Sequence, residues 1–218
     1  MPRDSTATKE RLLREAERLF ARRGLYRVTL REITDAADQR NVSAINYHFG
    51  SRDGLLQAVL TRHGDPTDLA RGALRERVGA AAESRDLVAA LVVPYAAHLD
   101  APEGRDYLRI VAQLSGGFTD WRTPAPGTGP HLRAVLAELE DRRPDLPAAV
   151  RRERVVELIM LMTAATSQRA RHVESGRPVE LDQPVFVANL TDVLVGVLEA
   201  PLLGPLPTTL VPVRASTR

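Results

Sequence analysis

An all-α fold is predicted, with a small three-helix unit at the N-terminus joined to a larger helical body. Three features predict it. Apolar residues recur at helical spacing along the chain, and no strand signal survives that pattern. Clusters of Gly, Pro and Asp cut the pattern into helix-length pieces. Charge is uneven: residues 1–63 hold 12 Lys+Arg and 8 Asp+Glu, a net of +4, whereas residues 64–218 hold 18 and 20, a net of −2. A basic first third suits a head that meets a polyanion, and a slightly acidic remainder suits a body that does not.

Length and composition narrow the classes. A chain of 218 residues accommodates two domains of modest size. With no cysteine, disulfides, thiolate metal sites and thiol nucleophiles are excluded. No apolar run reaches membrane-spanning length, and the N-terminus lacks a signal-peptide core, so no membrane partner and a cytoplasmic location are expected. The five histidines, at 48, 63, 98, 131 and 172, show no metal-ligand spacing. No nucleophile elbow, P-loop or dinucleotide glycine pattern occurs, so no enzyme, cofactor or metal is expected.

The elements follow in order. Residues 1–6 read as a polar, disordered arm. A helix over about Thr8–Arg23 carries Leu12, Leu13, Ala16, Leu19 and Phe20 on one stripe, and Gly24 ends it. Leu25 and Tyr26 are expected to plug the base of the head. Thr29 and Glu32 form a capping box for the next helix, with Val28 and Ile33 as its hydrophobic staple. Leu30, Ile33, Ala36 and Ala37 share one face. Asp38-Gln39-Arg40-Asn41 is a polar turn. Ser43 is the candidate cap of a second short helix, whose Val42, Ile45 and Phe49 point inward. Ser43, Ala44, Asn46 and Tyr47 are left pointing outward, with His48 at the edge. Small hydrogen-bonding side chains on a helix let its backbone approach a DNA major groove, where Asn can pair with an adenine edge. Gly50 ends this helix, and Ser51 caps the next, with Asp53 in its first turn.

These residues resemble a known family. Thr29, Ile33 and Ala36-Ala37, followed by Tyr47-His48-Phe49-Gly50-Ser51-Arg52-Asp53-Gly54-Leu55-Leu56, are similar to the N-terminal domain of TetR-family transcriptional regulators. That family shows a pattern of the type T…I…A, a turn, then Y-x-H-F-x-S-[KR]-[DE]-x-L. The chain departs from it in the turn, where Asp38-Gln39-Arg40-Asn41-Val42 stands in place of the Gly-Val pair of many members. The resemblance implies a helix-turn-helix DNA-binding domain over 7–63 and a helical ligand-binding and dimerisation domain over 64–200; residues 201–218, with four prolines and no period, read as a loose, disordered tail. It implies that Ser43, Asn46, Asn41 and Arg40 meet base edges, with Ala44 against a thymine methyl. Tyr47, His48, Thr29 and Arg52 would hold phosphates. A homodimer on a palindromic double-stranded operator, released by a small apolar or amphipathic effector, is the implied function. The alternative is a helical ligand- or protein-binding module without sequence-specific DNA binding.

The body is expected to be helical throughout. Gly64-Asp65-Pro66 is expected to break the helix that starts at Ser51. Helices follow over about Thr67–Glu83, with Leu69, Ala73, Leu74 and Val78 as the stripe, and over about Asp86–Leu99, with Pro94 inside it. Further helices are expected over about Arg105–Phe118 and His131–Asp141, separated by the loop-like stretch 119–130. Two long ones close the chain, from near Pro147 to Val173 and over about Gln183–Glu199. The last is more apolar than one core face needs, as a helix covered by a partner subunit would be. In the family the last two helices form the dimer interface, here Leu158, Met162, Phe186, Leu190, Val193, Leu194 and Val197. An effector cavity in the body would draw its walls from Tyr95, His98, Gln113 and Phe118, together with Trp121, Met162, Thr163 and Thr166.

Overall fold

The computed structural model describes residues 2–118, 121–122 and 128–204. Among them there are nine α-helices and no strand. The helices are α1 (Pro2–Arg23), α2 (Leu30–Ala36), α3 (Ser43–Phe49), α4 (Arg52–Val78) and α5 (Ser84–Ala96). They continue as α6 (Pro102–Leu114), α7 (Pro130–Glu140), α8 (Ala148–Glu174) and α9 (Gln183–Glu199). The expected α9 limits match the structure residue for residue. The loop-like stretch falls mostly on residues 119–120 and 123–127, and the tail mostly on 205–218, all outside the described residues.

Helices α1 to α3 and the start of α4 enclose the head. Leu12, Ala16, Phe20, Ile33, Ile45, Leu55 and Val59 form its centre, each buried. The body packs α4 against α5 and α7, α6 against α8, and α9 across α5 and α8. Leu87, Leu91, Leu108, Ile110, Leu136 and Leu158 fill its core. Head and body also meet directly, along α1 and α6.

Four expectations are corrected here. The segment 2–6 is helical, because α1 begins at Pro2, a residue suited to the first helical position, where its missing N–H has no partner to lose. The helix from Ser51 does not break at Gly64-Asp65-Pro66; α4 runs unbroken from Arg52 to Val78 with Pro66 inside it. A proline costs about 3 kcal/mol in a helix interior. The α4 stripe packed against three neighbouring helices outweighs that local cost. The unbroken register also sets which face turns inward. Thr67, Asp68, Arg71 and Gly72 are buried, whereas Leu69 and Ala73 of the expected stripe face out. Finally, Tyr26 does not plug the head; it is 90% exposed, while Leu25 is buried.

Glycine is required at two contacts between α4 and the start of α7. A Cβ on Gly72 would lie 2.6 Å from the His131 ring, and one on Gly129 would lie 2.2 Å from the Asp68 carboxylate. Those contacts seat the start of α7 on α4.

Candidate nucleic-acid interface and body cavity

The head presents α3 on a fixed base. Thr29 N donates to Glu32 Oε2 at 2.8 Å and Glu32 N to Thr29 Oγ1 at 3.3 Å, completing the capping box of α2. These bonds from the Thr29 amide and hydroxyl, with Arg23 beside them, hold the Glu32 carboxyl down at about 2. The turn that follows passes through Asp38 at φ 54°, a left-handed conformation that Asp tolerates better than most residues. It stands at the turn position where glycine would be the simplest choice.

Helix α3 starts differently from the expectation. Ser43 is its first helical residue and not its cap. Asn41 does the capping, its Oδ1 accepting from Ser43 N at 2.9 Å. Ile45 pins α3 to the core, with Val42 and Phe49 half-buried beside it. The opposite side shows Ser43, Asn46 and Tyr47, the last 80% exposed, so Tyr47 is not a core tyrosine. Ala44 and His48 are half-buried at the edges, and Arg40 is exposed in the turn. Asn41 is exposed but its side chain is committed to the cap. Thr29 is exposed with its hydroxyl on Glu32 at 2.8 Å.

Arg52 has different work from that expected. Its guanidinium donates to Val28 O at 2.6 Å and to Leu25 O, and lies over the Phe20 ring at 5.1 Å. It ties the first turn of α4 to the loop before α2, so it locks the head together and does not reach outward. Two exposed side chains near Thr29, Tyr26 and Arg27, were missed by sequence reasoning. The spacing gave no signal for them, because a tyrosine after a buried leucine reads as core.

A cavity of about 450 Å³ lies in the body. One stripe of α4 forms a wall, through Asp53, Leu56, Gln57, Leu60, Gly64, Thr67 and Arg71. Across from it stand Tyr95 of α5, Tyr107, Val111 and Leu114 of α6, Leu132 of α7, and Ile159, Met162 and Thr163 of α8. Of the expected residues, Tyr95, Phe118, Met162 and Thr163 line it. His98, Gln113, Trp121 and Thr166 do not. Gln113 joins body to head instead, accepting from Leu25 N at 2.8 Å and donating to Phe20 O at 3.1 Å. His98 Nε2 lies 2.7 Å from the Thr67 hydroxyl, Trp121 is buried away from the cavity, and Thr166 donates to Met162 O at 2.8 Å. Arg71 and Tyr107 were missed, Arg71 because the expected stripe of that part of α4 was rotated away from it, and Tyr107 because the expected stripe of the helix over Arg105–Phe118 ran through Leu108, Val111, Ala112 and Leu114.

The polar groups at the cavity are unusual. Asp68, buried behind it, accepts from Leu132 N at 2.7 Å, His131 N at 3.0 Å and Arg71 Nη1 at 3.0 Å. It therefore caps α7 from another helix. Burial pushes the Arg71 guanidinium below its ordinary range, against the pull of Asp68. Burial likewise pushes Tyr107 up to about 12 and Tyr95 well above the usual phenol range. Both tyrosines are neutral donors near neutral pH.

On the α8–α9 face, Leu158, Met162, Leu190 and Leu194 are buried within the single chain. The expected partner surface is corrected accordingly, since a side chain already covered by its own fold offers nothing to a second copy. Val193 is exposed, and Phe186 and Val197 are half-buried. The face turned outward carries Met160, Leu161 and Ala164 on α8, and Val185, Ala188, Val193 and Gly196 on α9.

A short helix with an outward polar edge, carried on a three-helix head above a helical body, is a helix-turn-helix arrangement. Residues 12–59 match the family model described as bacterial regulatory proteins, tetR family. Over those residues the head is similar to the DNA-binding domain that this family model describes. The chain is similar in fold to a Rhodococcus sp. protein assigned to TetR-family transcriptional regulators, at 17% identity and a TM-score of 0.55, over 88% of this chain and 98% of that one. A tetR-family regulatory protein from Rhodococcus RHA1 gives 18% identity and a TM-score of 0.45, over 88% and 96%. GusR of Salmonella enterica gives 20% and 0.48, over 88% and 95%. No curated protein matches the chain. Among the described residues, no group of His, Asp and Glu is placed to hold a metal, and no helix is long and apolar enough to cross a membrane.

Proposed function

We propose that the protein is a repressor that acts in the cytoplasm, binding a palindromic operator as a homodimer and leaving it when a small molecule fills the body cavity. The observation that carries this reading is the geometry of α4. The helix begins directly after α3 and then walls the cavity for five turns, so one rod touches both the reading head and the ligand space. Ser43, Asn46 and Arg40 read base edges, and Tyr47 holds a phosphate that fixes position. The outward α8–α9 face, with its small residues and apolar centre, meets its copy about a two-fold axis. Two heads so joined read half-sites about 34–36 Å apart or a multiple of it.

Retention of DNA from around the protein's own gene tests this, with and without compounds that raise the melting temperature. Specific retention that weakens with salt is expected. Asn46→Ala should lose about 1–3 kcal/mol and relax one position of the site. A strictly monomeric protein that holds every duplex equally would overturn the reading.

A further inference from the structure

The two ends of the cavity differ in chemistry. At one end lies Asp53, exposed in the first turn of α4. At the other lie Arg71 and Tyr95, each only 4% exposed. Eighteen residues of α4 separate Asp53 from Arg71, about 27 Å at ~1.5 Å per residue. Between them the α4 wall is mostly apolar or small, with Leu56, Leu60 and Gly64, and Val111, Ile159 and Met162 stand opposite.

The closed end has hydrogen-bond donors without acceptors. Arg71 uses Nη1 on Asp68, while its Nε is buried with no partner. The Nε side of its fork is the edge that receives a carboxylate in bidentate fashion. The Tyr95 hydroxyl is also buried and makes no hydrogen bond of ordinary length; its neighbouring acceptor is Thr166 Oγ1, whose own proton goes to Met162 O and Thr163 O. Buried donors without acceptors are rare in folded proteins and costly. Asp68 takes only Nη1 of the fork, and its carboxylate is turned to two amides at the start of α7, whose helix-end dipole offsets part of its negative charge.

We infer that the cavity takes an extended molecule with a hydrocarbon chain and a terminal carboxylate, the carboxylate seated between the Arg71 Nε edge and the Tyr95 hydroxyl. The inference rests on the effector reading above and deepens it. Asp53 sets the orientation, since it repels an anion from the opposite end. The chain then lies along Leu60 and Leu56, the α4 residues nearest the head.

Calorimetric titration of the full chain with dodecanoate, dodecanol and octanoate, below their aggregation thresholds, tests the assignment. Dodecanoate should bind at least about tenfold tighter than dodecanol, and octanoate more weakly than dodecanoate. Tyr95→Phe removes an unpartnered hydroxyl, so it should fold normally. Arg71→Lys keeps a cation beside Asp68 but loses the fork. Each should weaken dodecanoate about tenfold and leave dodecanol unchanged. Equal binding of acid and alcohol, or an acid-to-alcohol ratio unmoved by both variants, overturns the carboxylate while leaving an effector cavity standing. Absence of binding by all three probes overturns it as well. Operator retention measured in the same samples separates the two readings. Dodecanoate that binds through Arg71 and Tyr95 without releasing DNA sustains this inference and removes the effector role.

Discussion

Asp68→Ala tests the polar centre of the body. The carboxylate it removes is buried and accepts three hydrogen bonds, from Leu132 N, His131 N and Arg71 Nη1. Two costs follow. The first-turn amides of α7 lose their cap, worth about 0.5–2 kcal/mol. Arg71 is left as a buried charge without its counter-ion, worth about 3–5 kcal/mol. Together they remove on the order of 4–6 kcal/mol, a large share of the ~5–15 kcal/mol that holds a domain folded. Urea unfolding followed by far-ultraviolet circular dichroism measures it, as a lower midpoint with an unchanged slope. Asp68→Asn keeps an oxygen for the amides and loses only the charge, so its loss should be smaller. Adding Arg71→Met to Asp68→Ala removes the orphaned cation and should restore part of the stability. A loss below about 1 kcal/mol for Asp68→Ala, or a double variant no better than the single one, would refute the assignment of Asp68 as cap and counter-ion.

Gly129→Ala places a Cβ 2.2 Å from the same carboxylate, so it should destabilise by about 1–3 kcal/mol in the same assay. Thr29→Ala breaks the capping box of α2 and should lower the melting temperature by the equivalent of about 1 kcal/mol, with weaker operator retention. Burial, with His63 beside it, pushes the His98 imidazole down to about 4. The unfolded chain takes up a proton there below pH 6.5 that the folded chain refuses, so up to about 3 kcal/mol of stability is lost as pH falls from 6.5 toward 4. Asp106, pushed up to about 6 mainly by burial, acts oppositely, gaining stability as pH falls from about 6 toward 3.8. His98→Gln should therefore be less sensitive to acid than the parent when unfolding is followed across that window. Gln113→Ala cuts both bonds to Leu25 and Phe20, so the operator should be held less tightly and released at lower effector concentration, read by DNA retention against ligand.

The head was legible because its signals are local. The Thr29–Glu32 box, the Ile45 stripe and the Ser51 cap each need only neighbours within four residues, and each is present in the structure. What sequence reasoning missed depends on distant partners. Ser43 looked like a cap because its residue type suits one, but Asn41 reached the free amide first. Arg52 looked like a phosphate ligand because it matches the [KR] position of the family motif, and only the loop carbonyls of Leu25 and Val28 reveal its structural task. Pro66 looked like a stop because local propensity says so, and packing along α4 overrules it. The cavity was hidden for the same reason. Its buried end is built from Thr67, Asp68 and Arg71, polar residues that an apolar-stripe argument assigns to solvent.

An effector alters DNA affinity only through a difference in its affinity for two head positions. Typical coupling is about 1–3 kcal/mol, and the head–body junction is built on that scale. Arg52 binds the start of α4 to the head's own carbonyls, so α3 and the first turns of α4 move as one piece. What resists such movement is the contact of α1 with α6 and with the end of α8. There Gln113 makes its two bonds to the head, and Arg22 reaches Glu174 at 2.8 Å. Each such bond contributes about 0.5–1.5 kcal/mol net. A ligand lying against Leu56 and Leu60 pushes on the end of α4 that these few bonds hold. The required energy lies within what filling an apolar slot supplies, at ~0.8 kcal/mol per buried methylene. On the proposed repressor reading, the junction is strong enough to keep the heads in register unaided and weak enough for one small molecule to move them.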